Sequence, residues 1–87
     1  MISATVVVKR LNRLFPDIGG IKPYKTNGIW LGNAAEGGTI DGLAAADYYG
    51  EYRGGYPWVN PKLEEVLGKS GYFIEWYDPG SLTAWPR

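Results

Sequence analysis

Two stretches of the chain read alike. "RLNRLFPDIGGIKPYKTNGIWL" and "KLEEVLGKSGYFIEWYDPGSLTAW" each pass from a helical pattern through a glycine exit into a strand, a tight turn and a second strand that ends near a tryptophan. Two copies are too few for a solenoid, which needs at least three stacked repeats. They suffice for two αββ units. Their hairpins can join as one antiparallel sheet of about four strands, with both helices packed on one face, so that each amphipathic element buries one side. The sequence therefore predicts a small α+β fold, with residues 1–87 as a single domain.

The first helix is read from "SATVVVKRLNRLFPD". Ala4, Val7, Val8, Leu11, Leu14 and Phe15 recur at helical spacing, Ser3 stands at the N-cap position and Pro16 discourages continuation. The second is read from "NPKLEEVLGKSG", where Asn60 caps, Pro61 takes the first helical position and Leu63, Val66 and Leu67 form the apolar stripe. Gly71 can close that helix in a left-handed conformation. Ile21–Lys25 and Ile29–Leu31 read as the first hairpin, with Asn27-Gly28 as a type I′ turn and Pro23 marking a sheet edge. "YFIEWY", "DPGS" and "LTAW" make the second hairpin. Between the units, Asn33 to Asn60 is expected to be a structured loop, with a short strand near Thr39–Ile40 or a helical turn at Leu43–Tyr48.

A chain of 87 residues has a modest core, and without cysteine no disulfide or thiolate metal site reinforces it. Apolar burial must hold the fold, and 45% hydrophobic residues make that feasible. Nine basic residues balance nine acidic ones, so the chain lacks the basic excess of a general nucleic-acid binder. No apolar run approaches the ~20 residues of a membrane span, and "ATVVV" followed by Lys9 and Arg10 does not read as a signal peptide. A soluble cytoplasmic protein is expected.

The usual catalytic equipment is missing. Without histidine and cysteine there is no imidazole base, thiol nucleophile or zinc constellation of the usual kind. Ser3, Ser70 and Ser81 fall at caps and turns, where hydroxyls bond to backbone. Glu64, Glu65, Glu75 and Asp78 are not fixed in pairs across a cleft, as glycoside hydrolysis requires. "LGKS" at Leu67–Ser70 resembles the tail of a phosphate-binding loop, but Leu63 stands where the first glycine is needed. No catalytic residue, cofactor site or metal site is assigned.

Binding is the remaining reading. "DYYGEYRGGYPWVNP" crowds Tyr48, Tyr49, Tyr52, Arg53, Tyr56 and Trp58 among glycines that let the backbone bend. Trp30, Trp76 and Trp85 fall on strands and are expected in the core, which leaves little room inside for the loop rings as well. Tyrosine, tryptophan and arginine dominate interaction hot spots, so these six residues form the candidate partner-binding patch. Alternatively, the rings pin a long loop to the sheet. In "YFIEWY", alternation sets Phe73, Glu75 and Tyr77 on the wetter face, a further candidate surface.

The leading expectation is a non-enzymatic domain that binds a larger protein partner stoichiometrically, as an inhibitor, adaptor or subunit. Small charge-neutral proteins that cap a host complex, including those of bacteriophages, share this size and composition. The alternative is a nucleic-acid-binding module that uses Lys9, Arg10 and Arg13 with aromatic stacking. A carbohydrate-binding platform is the third reading. Unpaired hairpin edges also allow self-association into a homo-oligomer.

Overall fold

In the computed structural model, residues 2–49 and 57–87 are described. The first helix, α1 (Ala4–Leu14), starts where Ser3 Oγ accepts a hydrogen bond from the Val6 N–H and ends before Phe15, whose N–H donates to Leu11 O. Val7, Val8 and Leu11 are buried along one stripe, and Phe15 follows them into the core. Leu14 stays about half exposed, so the buried face is narrower than the apolar periodicity implies.

Strands β1 (Ile21–Tyr24) and β2 (Gly28–Leu31) form the first hairpin. The chain enters it at Gly19-Gly20 and leaves it at Gly32, and these backbones nearly touch. A Cβ on Gly32 would lie 2.0 Å from Gly19 O, and φ of +59° there suits glycine. The hairpin turn differs from the sequence expectation. Positive φ falls on Lys25, not on Asn27 or Gly28, so three residues, 25–27, connect the strands and no Asn-Gly type I′ turn forms.

The segment expected to be a structured loop contains two short antiparallel pairs. β3 (Thr39–Ile40) pairs with β4 (Leu43–Ala44), and β5 (Ala46–Asp47) pairs with β6 (Trp58–Val59). Asp41 and Gly42 both have positive φ, the backbone that a type I′ turn requires. The strand reading at Thr39–Ile40 therefore holds, and the helical turn at Leu43–Tyr48 is replaced by strand residues. Asn60, 4% exposed, ties this region to the next helix. Its N–H donates to Ala45 O, its Nδ2 to Ala44 O, and its Oδ1 accepts from the Lys62 N–H.

Helix α2 (Pro61–Lys69) begins at that cap, buries Leu63 and Leu67, and gives way to Gly71 at φ +87°. Strands β7 (Tyr72–Asp78) and β8 (Ser81–Pro86) close the second hairpin, and Asp78 Oδ1 accepts from the Gly80 N–H in the turn. The main sheet runs β1-β2-β8-β7 and is antiparallel throughout. The second strand of each αββ unit thus meets its counterpart at the centre, and the first strands lie at the edges. Pro23 sits on edge strand β1, where its missing N–H costs no ladder bond between neighbours on both sides.

Each helix packs over the first strand of its own unit, α1 on β1 and α2 on β7. Val7, Val8, Leu11, Leu63 and Leu67 share one buried cluster with Ile21, Ile29, Leu31, Leu82, Ala84 and Tyr72. Tyr72 is 2% exposed, and its hydroxyl donates to Ile2 O at 2.9 Å. Burial raises the Tyr72 pKa above 10.0, because desolvation disfavours the phenolate.

Two outcomes follow from this packing. Gly32→Ala combines a steric overlap with left-handed strain and should destabilise the protein by about 3 kcal/mol or more. Gly68→Ala, on an exposed helical site with open space around the new Cβ, should stabilise it by about 0.5–1 kcal/mol. Urea unfolding of the two variants beside the parent checks both signs. The Tyr72 contribution is complete below about pH 10, the unfolded value, and declines as pH rises through the raised folded value. Denaturation midpoints measured from about pH 8 to about pH 11 should therefore fall less steeply in Tyr72→Phe than in the parent. At neutral pH the same variant should lose about 1 kcal/mol with the Ile2 hydrogen bond.

Candidate functional site: an aromatic sheet face

The helices cover one side of the main sheet. Strand alternation turns Lys22 and Tyr24 on β1, Trp30 on β2, Thr83 and Trp85 on β8, and Phe73, Glu75 and Tyr77 on β7 to the other side. Phe73 and Tyr77 are 37% and 67% exposed, as the "YFIEWY" pattern predicts. Trp76 packs against the core as expected. Trp30 and Trp85 do not follow that expectation. They are half-buried on the outer face, because the register places them opposite Thr83 and Phe73 on the side away from the helices.

The rings on this face touch in sequence. Tyr77 and Trp30 have centroids 6.3 Å apart, Trp30 and Tyr24 5.3 Å, and Tyr24 and Trp85 5.9 Å. Their planes are tilted by 54° to 64°, within the edge-to-face range that aromatic quadrupoles favour. Lys25 Nζ lies 5.3 Å from the Tyr24 centroid and adds a cation–π contact within the row.

Gly28 and Thr83 fix Trp85. A Cβ on Gly28 would lie 2.7 Å from the indole, so the glycine is the floor on which the ring rests. The Trp85 indole N–H donates to Thr83 Oγ1 at 3.0 Å, and that hydroxyl donates to Glu75 O at 2.9 Å. Thr83 is 2% exposed although it points away from the helices. The relay thus crosses from β8 to β7 beneath a covering ring. A shallow cleft of about 300 Å³ opens toward the other end of the row, lined by Lys22, Tyr24, Trp30 and Tyr77.

The loop patch expected from sequence is only partly described. Tyr48 meets Trp76 edge-on at 5.2 Å and Tyr49 at 5.5 Å, which matches the reading in which a loop ring is pinned to the sheet. Tyr49 is 70% exposed, and its N–H bonds to Asp47 Oδ1. Trp58 is half-buried on β6. Tyr52, Arg53 and Tyr56 lie outside the described residues.

The basic trio on α1 is divided by its surroundings. Arg10 donates to Ser70 Oγ at 3.2 Å and links the middle of α1 to the end of α2. Lys9 and Arg13 remain exposed. Arg13 borders a cleft of about 360 Å³ that also carries Asp17 and Asp41, so the local charge is mixed. Asp41 is itself paired with Lys62.

Among the described residues, no group of three or more acidic, histidine or cysteine side chains is placed to hold a metal ion, and no helix is long and apolar enough to cross a membrane. Comparison with protein-family models, with curated proteins and with solved structures finds no match.

The Thr83 relay gives the site its own test. Thr83→Val keeps the side-chain shape but removes both hydrogen bonds, and should destabilise the protein by about 1–3 kcal/mol. The Trp85 indole N–H should exchange faster with solvent in the variant, as proton NMR would record.

Proposed function

We propose that this protein is a non-catalytic binding domain that engages a protein partner through the aromatic outer face of its sheet. One observation carries the reading: four contiguous rings, Tyr77, Trp30, Tyr24 and Trp85, lie on a face that the helices leave open. Rings that only complete a core would lie on the helix side, as Tyr72 and Trp76 do. Tyrosine and tryptophan supply large contact area for little lost rotamer entropy, which makes such a row an efficient binding surface. Charge on the face is sparse and of both signs, Lys22 against Glu75, which favours a protein over a polyanion. The domain would act stoichiometrically, as an inhibitor, adaptor or subunit, with Tyr49 and the adjoining loop extending the contact.

Capture from a lysate of the source cells, after nuclease treatment and at moderate salt, tests this reading. A retained protein should be lost with Tyr77→Ala or Trp30→Ala, each weakening the complex by about 2 kcal/mol or more, while circular dichroism stays that of the parent. Equal capture by folded variants would exclude the outer face as the contact. Loss of all capture on nuclease treatment would favour a nucleic-acid partner.

A further inference from the structure

The main sheet has two edges, and only one of them is protected. At edge β1, Pro23 offers no N–H, Asn12 Nδ2 donates to Ile21 O at 3.4 Å, and Lys22 and Lys25 place charge on the strand and its turn. Proline, lysine and covering side chains are the devices that keep an edge from pairing with another chain. Edge β7 has neither proline nor lysine, and at 7 residues it is the longest strand of the sheet.

Strand parity decides which backbone groups this edge presents. Gly71 O accepts from the Arg87 N–H and Glu75 O from Thr83 Oγ1, so the odd-numbered residues up to Glu75 turn their N–H and C=O groups to β8. Tyr72, Ile74 and Trp76 turn theirs outward, and among the described residues no hydrogen bond reaches those groups. An extended strand is what matches such a row of alternating donors and acceptors.

The row is complementary to itself. Two β7 strands laid antiparallel about a twofold axis at Ile74 set Ile74 opposite Ile74 and each Tyr72 opposite a Trp76, so every outward group is paired. Moving the axis to Phe73 or Glu75 leaves one of the three residues unmatched, and at Glu75 it also sets two carboxylates face to face. With the axis at Ile74, Phe73 of one copy lies opposite Glu75 of the other, at a position without backbone bonds, where side chains come closest. The strand ends match in charge as well. Exposed Lys69 and Arg87 flank the start of β7 and exposed Asp78 its finish, and antiparallel pairing brings opposite signs to the same end. The irregularity after Trp76 stops the pairing there.

We infer that a second copy of this chain pairs along β7, joining two four-stranded sheets into one of eight strands. The helices of both copies then lie on one side and both aromatic rows on the other. The dimer stands apart from the outer-face reading and does not depend on it.

Sedimentation equilibrium of the full chain, with amide exchange measured at rising concentration, tests the pairing. The parent should dimerise below about 1 mM, and the Ile74 N–H should exchange more slowly as the dimer forms. Phe73→Glu sets like charges opposite each other at two places and should weaken the dimer roughly 3- to 10-fold. Phe73→Lys, facing Glu75 of the other copy, should hold or tighten it, and Phe73→Glu combined with Glu75→Lys should restore the parent affinity. Each variant should keep the circular dichroism of the parent. A parent that stays monomeric at that concentration overturns the inference. So does a dimer in which the Ile74 N–H stays unprotected, or one that Phe73→Glu and Phe73→Lys weaken alike. Ile74 protection that appears only with a captured partner would overturn it in favour of the partner's own strand. The outer-face reading is scored separately, by capture with Trp30→Ala, which leaves the β7 edge untouched.

Discussion

Two helices can cover one face of a four-stranded sheet and no more. Packed side by side about 8–10 Å apart, they screen a width of roughly 20 Å. Four strands about 4.8 Å apart occupy nearly the same width. Apolar side chains on the covered side pack between helices and sheet, and the side chains on the other side are screened only by one another. That geometry fixes the core as a single layer between helices and sheet, with Leu11, Leu63, Leu67, Ile29 and Leu82 at its centre. It also decides the fate of the tryptophans, because strand parity alone selects which side each one joins.

The outer rings must then be stabilised without helices, and the sheet does this with its own parts. Trp85 lies across Gly28 and covers Thr83, so a glycine that would otherwise weaken a central strand becomes a seat for an indole. Tyr24 and Trp30 lean against that fixed ring in turn. The exposed end of the row, Tyr77, is therefore the least constrained member. The register irregularity between Trp76 and Asp78 falls at this end of β7, where a bulge can re-aim a side chain.

Much of this was legible from residue order, and the failures have separable causes. Caps at Ser3 and Asn60, Pro61 at the first helical position and Gly71 at the second helix exit are local chemistry, and the structure contains each of them. The αββ echo gave the sheet because each unit supplies its own hairpin. Asn27-Gly28 misled because a glycine signals a turn only when its φ is what matters. Here its missing Cβ matters, and the cause is Trp85, distant in sequence. Asp41-Gly42 carried the same turn signal and was truthful, but the strands around it are two residues long and leave almost no alternation to read. The placement of Trp30 and Trp85 failed for a third reason. Counting rings against core volume says that some must lie outside, but not which ones, until pairing register is known.

The last consequence concerns where a binding surface can be built in so small a domain. Tyr48 packs edge-on against Trp76 and ties the end of β5 to the sheet. A row of rings on a hydrogen-bonded sheet is ordered on folding, so engaging a partner there costs little further side-chain entropy. The two surfaces are not exclusive. Trp76 belongs to the core side of β7 and Tyr77 to the outer side, so the same edge strand supports Tyr48 beneath and the Trp30 cleft above. A partner engaging both sides of β7 would meet Tyr48 on one and Tyr77 on the other. Strand alternation puts rings on both sides of β7: Trp76 turns to the core, while Phe73 and Tyr77 turn away from it.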